Sequence, residues 1–361
     1  MMLPKAKRIS NIESLRCLAM FFIVMNHCIL NIATKSIILD SEPVNFCITE
    51  FLYQVVYNGV NVFVLISGYF LSKQTREFTN WEKVGVLWLT TLFYSILIYM
   101  VLLILRYEPY SISGLIHSLM PIRYNSYWFI TQYLGLYIIS PFLSKWARSM
   151  SKREYKIMLV SFFIITSVVQ LHGLKGGFSL IWFIFLFMFA GYIQFYMEKS
   201  VFLQKWKQNS GFVFITVSFL LFVMSFLMNG NKLNIVSFWG FYNGPLLFVA
   251  SVSIFIFFLK IKTSGIIRII SKLSPYMLGV YLIHEHPLLK LLFWNFLNEK
   301  NIKINIFSLS VIAFVIMAIC IFVEYFRVFI FKIFKIDTLF IKTSKIVLSP
   351  IVKIYKDLIV K

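Results

Sequence analysis

Runs of about twenty mostly apolar residues recur along this chain, and hydrocarbon leaves such runs few options. Every backbone N–H and C=O in a bilayer core must be bonded within the chain, so each run is read as a transmembrane helix. About ten runs are legible, near residues 14–33, 47–72, 84–105, 127–144, 157–172, 178–197, 211–228, 239–259, 274–293 and 304–326. The fourth and fifth are short. The expected fold class is therefore an all-α polytopic membrane protein of about ten transmembrane helices. With 60% hydrophobic residues, the chain has too little polar surface for an ordinary soluble domain. The first run is longer than a signal-peptide core and no small-residue cleavage site follows it, so it is read as retained.

The formal net charge is +21. Its distribution argues against nucleic acid, because the basic residues sit in short connections between apolar runs rather than on one face of a soluble domain. Lys5, Lys7 and Arg8, then Lys73, Arg76 and Lys83, then Lys145, Arg148, Lys152, Arg153 and Lys156 fall on alternate connections. Lys199, Lys205 and Lys207, then Lys260, Lys262, Arg268 and Lys272, then the tail from Arg327 continue the series. The intervening connections are poor in cations. That asymmetry places both termini in the cytoplasm of a multi-pass protein of the cell membrane, with anionic inner-leaflet lipids as partners. Residues 1–326 are expected to form the membrane domain and residues 327–361 a basic amphipathic cytoplasmic tail, interrupted at Ser349-Pro350. The largest outer connection, from about Arg106 to Ser126, is too short for a domain, so any chemistry belongs to the bundle or its mouths. No internal repeat is evident. Cys17, Cys28, Cys47 and Cys320 have no metal-ligand spacing, and neither a metal site nor a disulfide is expected.

Ionisable residues within apolar runs are costly and point to function. In the first run, Arg16 and His27 are eleven residues apart, which returns the helix to within ~20° and places both side chains on one face, ~16 Å apart along the axis. Glu13 is a local ion-pair partner for Arg16. Taken separately, the histidine also suits a helix–helix bond and the arginine a snorkelling position. The second run reads NVFVLISGYFLSKQTR. Ser67-Gly68 allows a close backbone approach or a kink, and Lys73 and Arg76, one turn apart, suit a pyrophosphate as well as ordinary cytoplasmic flanking. Tyr127-Trp128 opens the fourth run, as an interface anchor or a sugar-stacking platform. The ninth run carries His284, Glu285 and His286, at a depth comparable to His27 unless Pro287 ends the helix there. His117 and His172 fall in outer connections and are given no catalytic role.

Arg16 with His27, NVFVLISGYFLSKQTR, YWFITQYLGLYIISPFL and YMLGVYLIH, in that order, resemble acyltransferase family three, a family of integral membrane O-acyltransferases. The resemblance implies transfer of an acyl group, most often acetyl, from cytoplasmic acetyl-CoA to a hydroxyl of a cell-envelope glycan or its lipid-linked precursor. It implies His27 as catalytic histidine, Arg16 with Glu13 as its partners, and Lys73 with Arg76, beside Ser67 and Gly68, on the donor side. Tyr127, Trp128, His284 and Glu285 are expected to line the acceptor cavity. Lys73 stands where the family often has arginine, which keeps charge but loses the planar fork. No permanently bound cofactor is expected, since acyl-CoA is a substrate. Many relatives carry an extracytoplasmic esterase-like domain. This chain resembles a stand-alone bacterial member, acting alone or with a separate extracytoplasmic acyl-transfer partner. The same polar groups also suit a transporter or flippase of a glycolipid or polysaccharide intermediate, or a structural subunit in which they are helix glue. A glycan-polymerising enzyme fits less well without a substantial outer domain.

Overall fold

The computed structural model describes residues 9–33, 43–75, 78–169, 175–229, 240–299 and 305–357. All regular structure in those residues is helical. The first helix, α1 (Ser10–Cys28), ends in a π-helical turn over Ile29–Ala33. There follow α2 (Pro43–Val56), α3 (Gly59–Leu71), α4 (Trp81–Ile104), the short α5 (Ile112–Leu119), α6 (Trp128–Ser149) and α7 (Lys152–Phe163). Then come α8 (Leu180–Tyr196), α9 (Val201–Asn229), α10 (Pro245–Lys260), α11 (Gly265–Ser271), α12 (Met277–His284) and α13 (Pro287–Glu299). The chain closes with α14 (Ile306–Ile333) and α15 (Ile336–Asp357). Among the described residues, seven helical segments are long and apolar enough to cross a membrane, and α10 is a shorter apolar helix. This is a multi-pass membrane protein.

Its centre is α1. Most of its residues are buried, including the polar Asn11, Glu13, Ser14 and Asn26. A helix apolar nearly all round belongs inside a bundle. Glycines set the distance of its neighbours. A Cβ on Gly59 would lie 2.7 Å from the Ala19 carbonyl oxygen, and one on Gly68 2.7 Å from Cα of Phe187. Real Cβ atoms do not approach so closely, so α3 wedges between α1 and α8 only because those two positions lack side chains. Buried Asn61 ties the same layer laterally. Its amide donates to the Tyr242 carbonyl (2.8 Å), and its oxygen accepts from the Trp182 indole of α8 (3.0 Å).

Two of the apolar runs are broken helices rather than continuous ones. The second divides at Tyr57-Asn58, where the Asn58 side chain donates to the Gln54 and Val55 carbonyls (3.1 Å each) that the end of α2 leaves unpaired. The ninth, expected as 274–293, divides at Glu285-His286. Pro287 has no N–H to continue α12 but is favoured at the first position of a new helix. The fourth and fifth runs form α6 and α7, the latter closing in a π turn over Ile164–Val168.

The tail corrects an expectation. The interruption read at Ser349-Pro350 is absent, and α15 runs through it. Pro350 would orphan the Ile346 carbonyl four residues back, but the Ser349 hydroxyl donates to that oxygen at 2.7 Å. Near the end of α14, buried Glu324 takes two bonds from Arg327 (2.7 Å each) and a short one from the Tyr94 hydroxyl of α4. A Cβ on Gly279 of α12 would overlap the Glu324 side chain.

Candidate active site

His27 occupies the last α-helical turn of α1, and Asn31 of the π turn donates to its backbone carbonyl at 2.7 Å. The break after α12 delivers two ionisable side chains to it. His27 Nδ1 lies 2.9 Å from Glu285 Oε1 and 3.2 Å from His284 Nε2, with the two imidazole rings tilted 35° at a centroid distance of 5.4 Å. Lys290 of α13 sits 3.2 Å from the other carboxylate oxygen. Glu285 and His284 are buried, and His27 is half-buried.

Counting protons fixes the tautomers. His284 Nδ1 is 2.6 Å from the Val280 carbonyl, which only accepts, so this nitrogen carries a hydrogen and neutral His284 presents Nε2 as a lone pair. His27 Nδ1 then faces two acceptors, Glu285 and His284, and must carry a hydrogen itself. The lone pair of neutral His27 is on Nε2. A neighbouring imidazole that takes the Nδ1 hydrogen and a carboxylate close enough to stabilise the imidazolium formed when Nε2 takes a proton make the arrangement of a general base.

Among the described residues, His27, His284 and Glu285 are also the set whose ligating atoms lie within 4.8 Å of one another, close enough to share a metal ion. The ligand types suit zinc. The charge does not favour it. Glu285 already faces Lys290, and a divalent ion would leave two cations around one carboxylate, whereas a proton on His27 Nδ1 serves His284 Nε2 and adds no excess charge, leaving Glu285 Oε1 in close contact but without a hydrogen bond of its own.

About eleven residues back along α1, Glu13 and Arg16 form a second polar node. Arg16 bonds Glu13 at 2.7 Å and reaches the Ser274 hydroxyl at 3.4 Å, while Ser274 makes a short bond to the same carboxylate oxygen of Glu13. Arg16 and His27 share a helix without touching, as their spacing requires. Lys73 is exposed just beyond α3, and Arg76 lies outside the described residues. The segment carrying Lys73 is gripped by Arg148 of α6, which donates to the carbonyls of Ser72 (3.3 Å) and Gln74. Ser67 bonds the Phe63 carbonyl (3.0 Å) and lies 3.2 Å from the Tyr133 hydroxyl, and Gly68 faces α8.

Tyr127 is buried, donates to the Leu282 carbonyl at 3.1 Å and stands 6.2 Å from the His286 ring. It supports the end of α12. Trp128 is half-buried beside exposed Phe178 (ring centroids 4.9 Å) and stacks loosely on Tyr242 at 6.0 Å. His117 is exposed on α5 and contacts Tyr124, and His172 lies outside the described residues. Sequence reasoning missed Ser274, Arg148 and the role of Lys290. Lys290 stands out in sequence only as a cation near a run's end, and Ser274 and Arg148 carry no signal, since their partners lie far away along the chain.

Comparison with known proteins gives one finding. The family model described as an acyltransferase domain matches residues 9–325, which cover α1 through most of α14. No significant match emerged among curated proteins or among solved structures. The match spans far more than half of the chain, and the chain belongs to acyltransferase family three, a family of membrane acyltransferases.

Proposed function

We propose that this protein is an O-acyltransferase of the bacterial cell membrane that moves an acyl group, acetyl in the first instance, from cytoplasmic acyl-CoA to a hydroxyl of a cell-envelope glycan or its lipid-linked precursor. The observation that carries the reading is the placement of His27 Nδ1 between Glu285 and His284, which leaves Nε2 as a base. The acceptor hydroxyl gives its proton to Nε2 as its oxygen attacks the thioester carbon. The C–S bond breaks, and the imidazolium returns the proton to the departing thiolate. Positioned proton transfer of this kind is worth ~10² to 10⁴-fold. His284 holds the tautomer, Glu285 balances the imidazolium, and Lys290 holds Glu285.

Both termini are cytoplasmic in this reading, which the alternation of cationic connections supports. The Glu13–Arg16–Ser274 node then faces the donor side. Arg16 and Lys73 with Arg76 attract the phosphates of CoA, Arg148 fixes the segment that presents Lys73, and Ser67 and Gly68 set the helix beneath it. His27 lies beyond the midplane from that side, so the acyl group is carried most of the way across before it is transferred. Tyr127 and Trp128 flank the acceptor's approach, with His284 and Glu285 at its end.

The test delivers labelled acetyl-CoA to the cytoplasmic face of sealed vesicles holding the protein or its His27→Ala variant, with envelope glycan present. Label enters glycan only with intact His27, at equal protein abundance. A flippase or transporter using the same groups moves its substrate without adding mass to it. Absence of label with both proteins would therefore overturn the acyltransferase reading.

A further inference from the structure

The last helix lies wholly beyond the family match, which ends at residue 325, yet it is seated with single-residue fit. Gly85 of α4 faces buried Ser344 of α15 so closely that a Cβ there would overlap the serine side chain. Phe340 packs on Phe331 of α14 (5.3 Å), and Lys345 lies 3.8 Å from Glu82 at the start of α4. Residues so fitted hold α15 against the bundle rather than leaving it to lie anywhere on the membrane surface.

Docked this way, α15 leaves a cleft of about 680 Å³ against residues 78–82. That volume is in the range of small-molecule sites. Phe78 and Trp81 give it flat aromatic walls, Asn80 and Ser349 give it hydrogen-bonding groups, and Lys345 and Lys353 bring two ammonium groups to its α15 side. Glu82 also lines it, but its contact with Lys345 is long and both groups are exposed, so that lysine is available to a stronger anion. The segment forming the other wall begins five residues after Lys73 in the chain.

We propose that this cleft seats the nucleotide end of the acyl-CoA donor, with the purine against Phe78 and Trp81 and the 3′-phosphate on Lys345 and Lys353. The inference rests on the acyl-CoA reading above and adds a site contributed by an element outside the family's matched region. An aromatic slot with polar edges and cations at its rim suits a flat base bearing phosphates. An anionic phospholipid offers the phosphate but nothing flat to fill the slot.

The test measures binding rather than turnover, on the full chain in nanodiscs of neutral lipid, with CoA and with dephospho-CoA, which lacks the 3′-phosphate. We expect the unaltered protein to prefer CoA by ~10-fold or more, the worth of one charge-assisted contact, and Lys345→Ala with Lys353→Ala to abolish that preference. Gly85→Leu, which unseats α15, should do the same, while His27→Ala should keep it. CoA binding that is indifferent to the paired lysine change and to Gly85→Leu would overturn this site and leave the acyl-CoA reading intact. So would a paired change that weakens only binding to phosphatidylglycerol vesicles. Failure of the unaltered protein to bind CoA at all would overturn both.

Discussion

Replacing Glu285 by glutamine tests the proposed base most directly. The change keeps size, so what is removed is the charge facing the imidazolium across 2.9 Å. Two unit charges ~4 Å apart, centre to centre, at the effective dielectric of ~20 typical of such sites attract by ~4 kcal/mol. If that attraction is gained only as His27 takes the proton, its loss lowers kcat by ~10³-fold, at 1.36 kcal/mol per tenfold. Lys290, left 3.2 Å from an uncharged group, adds repulsion of the same sign. The expected loss is therefore ~10² to 10⁴-fold in kcat with little change in KM for acyl-CoA. The assay is labelled acetyl transfer to glycan in proteoliposomes, normalised to folded protein. Lys290→Gln should cost less, because it leaves the carboxylate in place. A Glu285→Gln enzyme within threefold of the unaltered one would refute the carboxylate–imidazole assignment.

Other expectations concern the frame and the metal question. Glu324→Ala leaves half-buried Arg327 without its carboxylate, and since removing one member of a fully buried pair typically costs ~3–5 kcal/mol, this partly exposed one should cost less but still lower the thermal midpoint in detergent. An unchanged midpoint would mean that the guanidinium finds water. Gly68→Leu forces a side chain against Cα of Phe187, and overpacking of ~1–3 kcal/mol should reduce abundance, whereas Gly265→Ala, whose Cβ meets nothing within 4 Å, should be silent. Prolonged chelation should leave acyl transfer unchanged if the His27–His284–Glu285 set shares a proton. Loss of activity restored by zinc would instead establish a metal centre.

Much of this architecture is legible in the letters because it follows from local constraints. Apolar length identifies helices that need a bilayer, and the eleven-residue interval predicts that Arg16 and His27 share a stripe. The cluster around His27 needed tertiary information, since His284 and Glu285 are more than 250 residues away and nothing local says that α12 stops beside α1. Even there the sequence marks the place, by putting three ionisable residues ahead of a proline. The expected break at Ser349-Pro350 went the other way. Proline alone predicts an interruption, and the compensating bond from the preceding serine depends on a rotamer that letters do not reveal.

The rigidity of α1 has a consequence for the kind of donor the protein can use. Arg16 and His27 stand on one unbroken helix, so the interval between them, ~16 Å, behaves as a ruler that neither loop motion nor helix rearrangement can shorten. In the proposed reaction, a donor whose phosphates are anchored near the first needs its acyl carbon on an arm of matching reach, as coenzyme A provides through its pantetheine chain. Acetyl phosphate has no arm and leaves the gap unbridged. Adding one residue between the two marks would lengthen the ruler only slightly, but would swing His27 by ~100° out of line with the anchor.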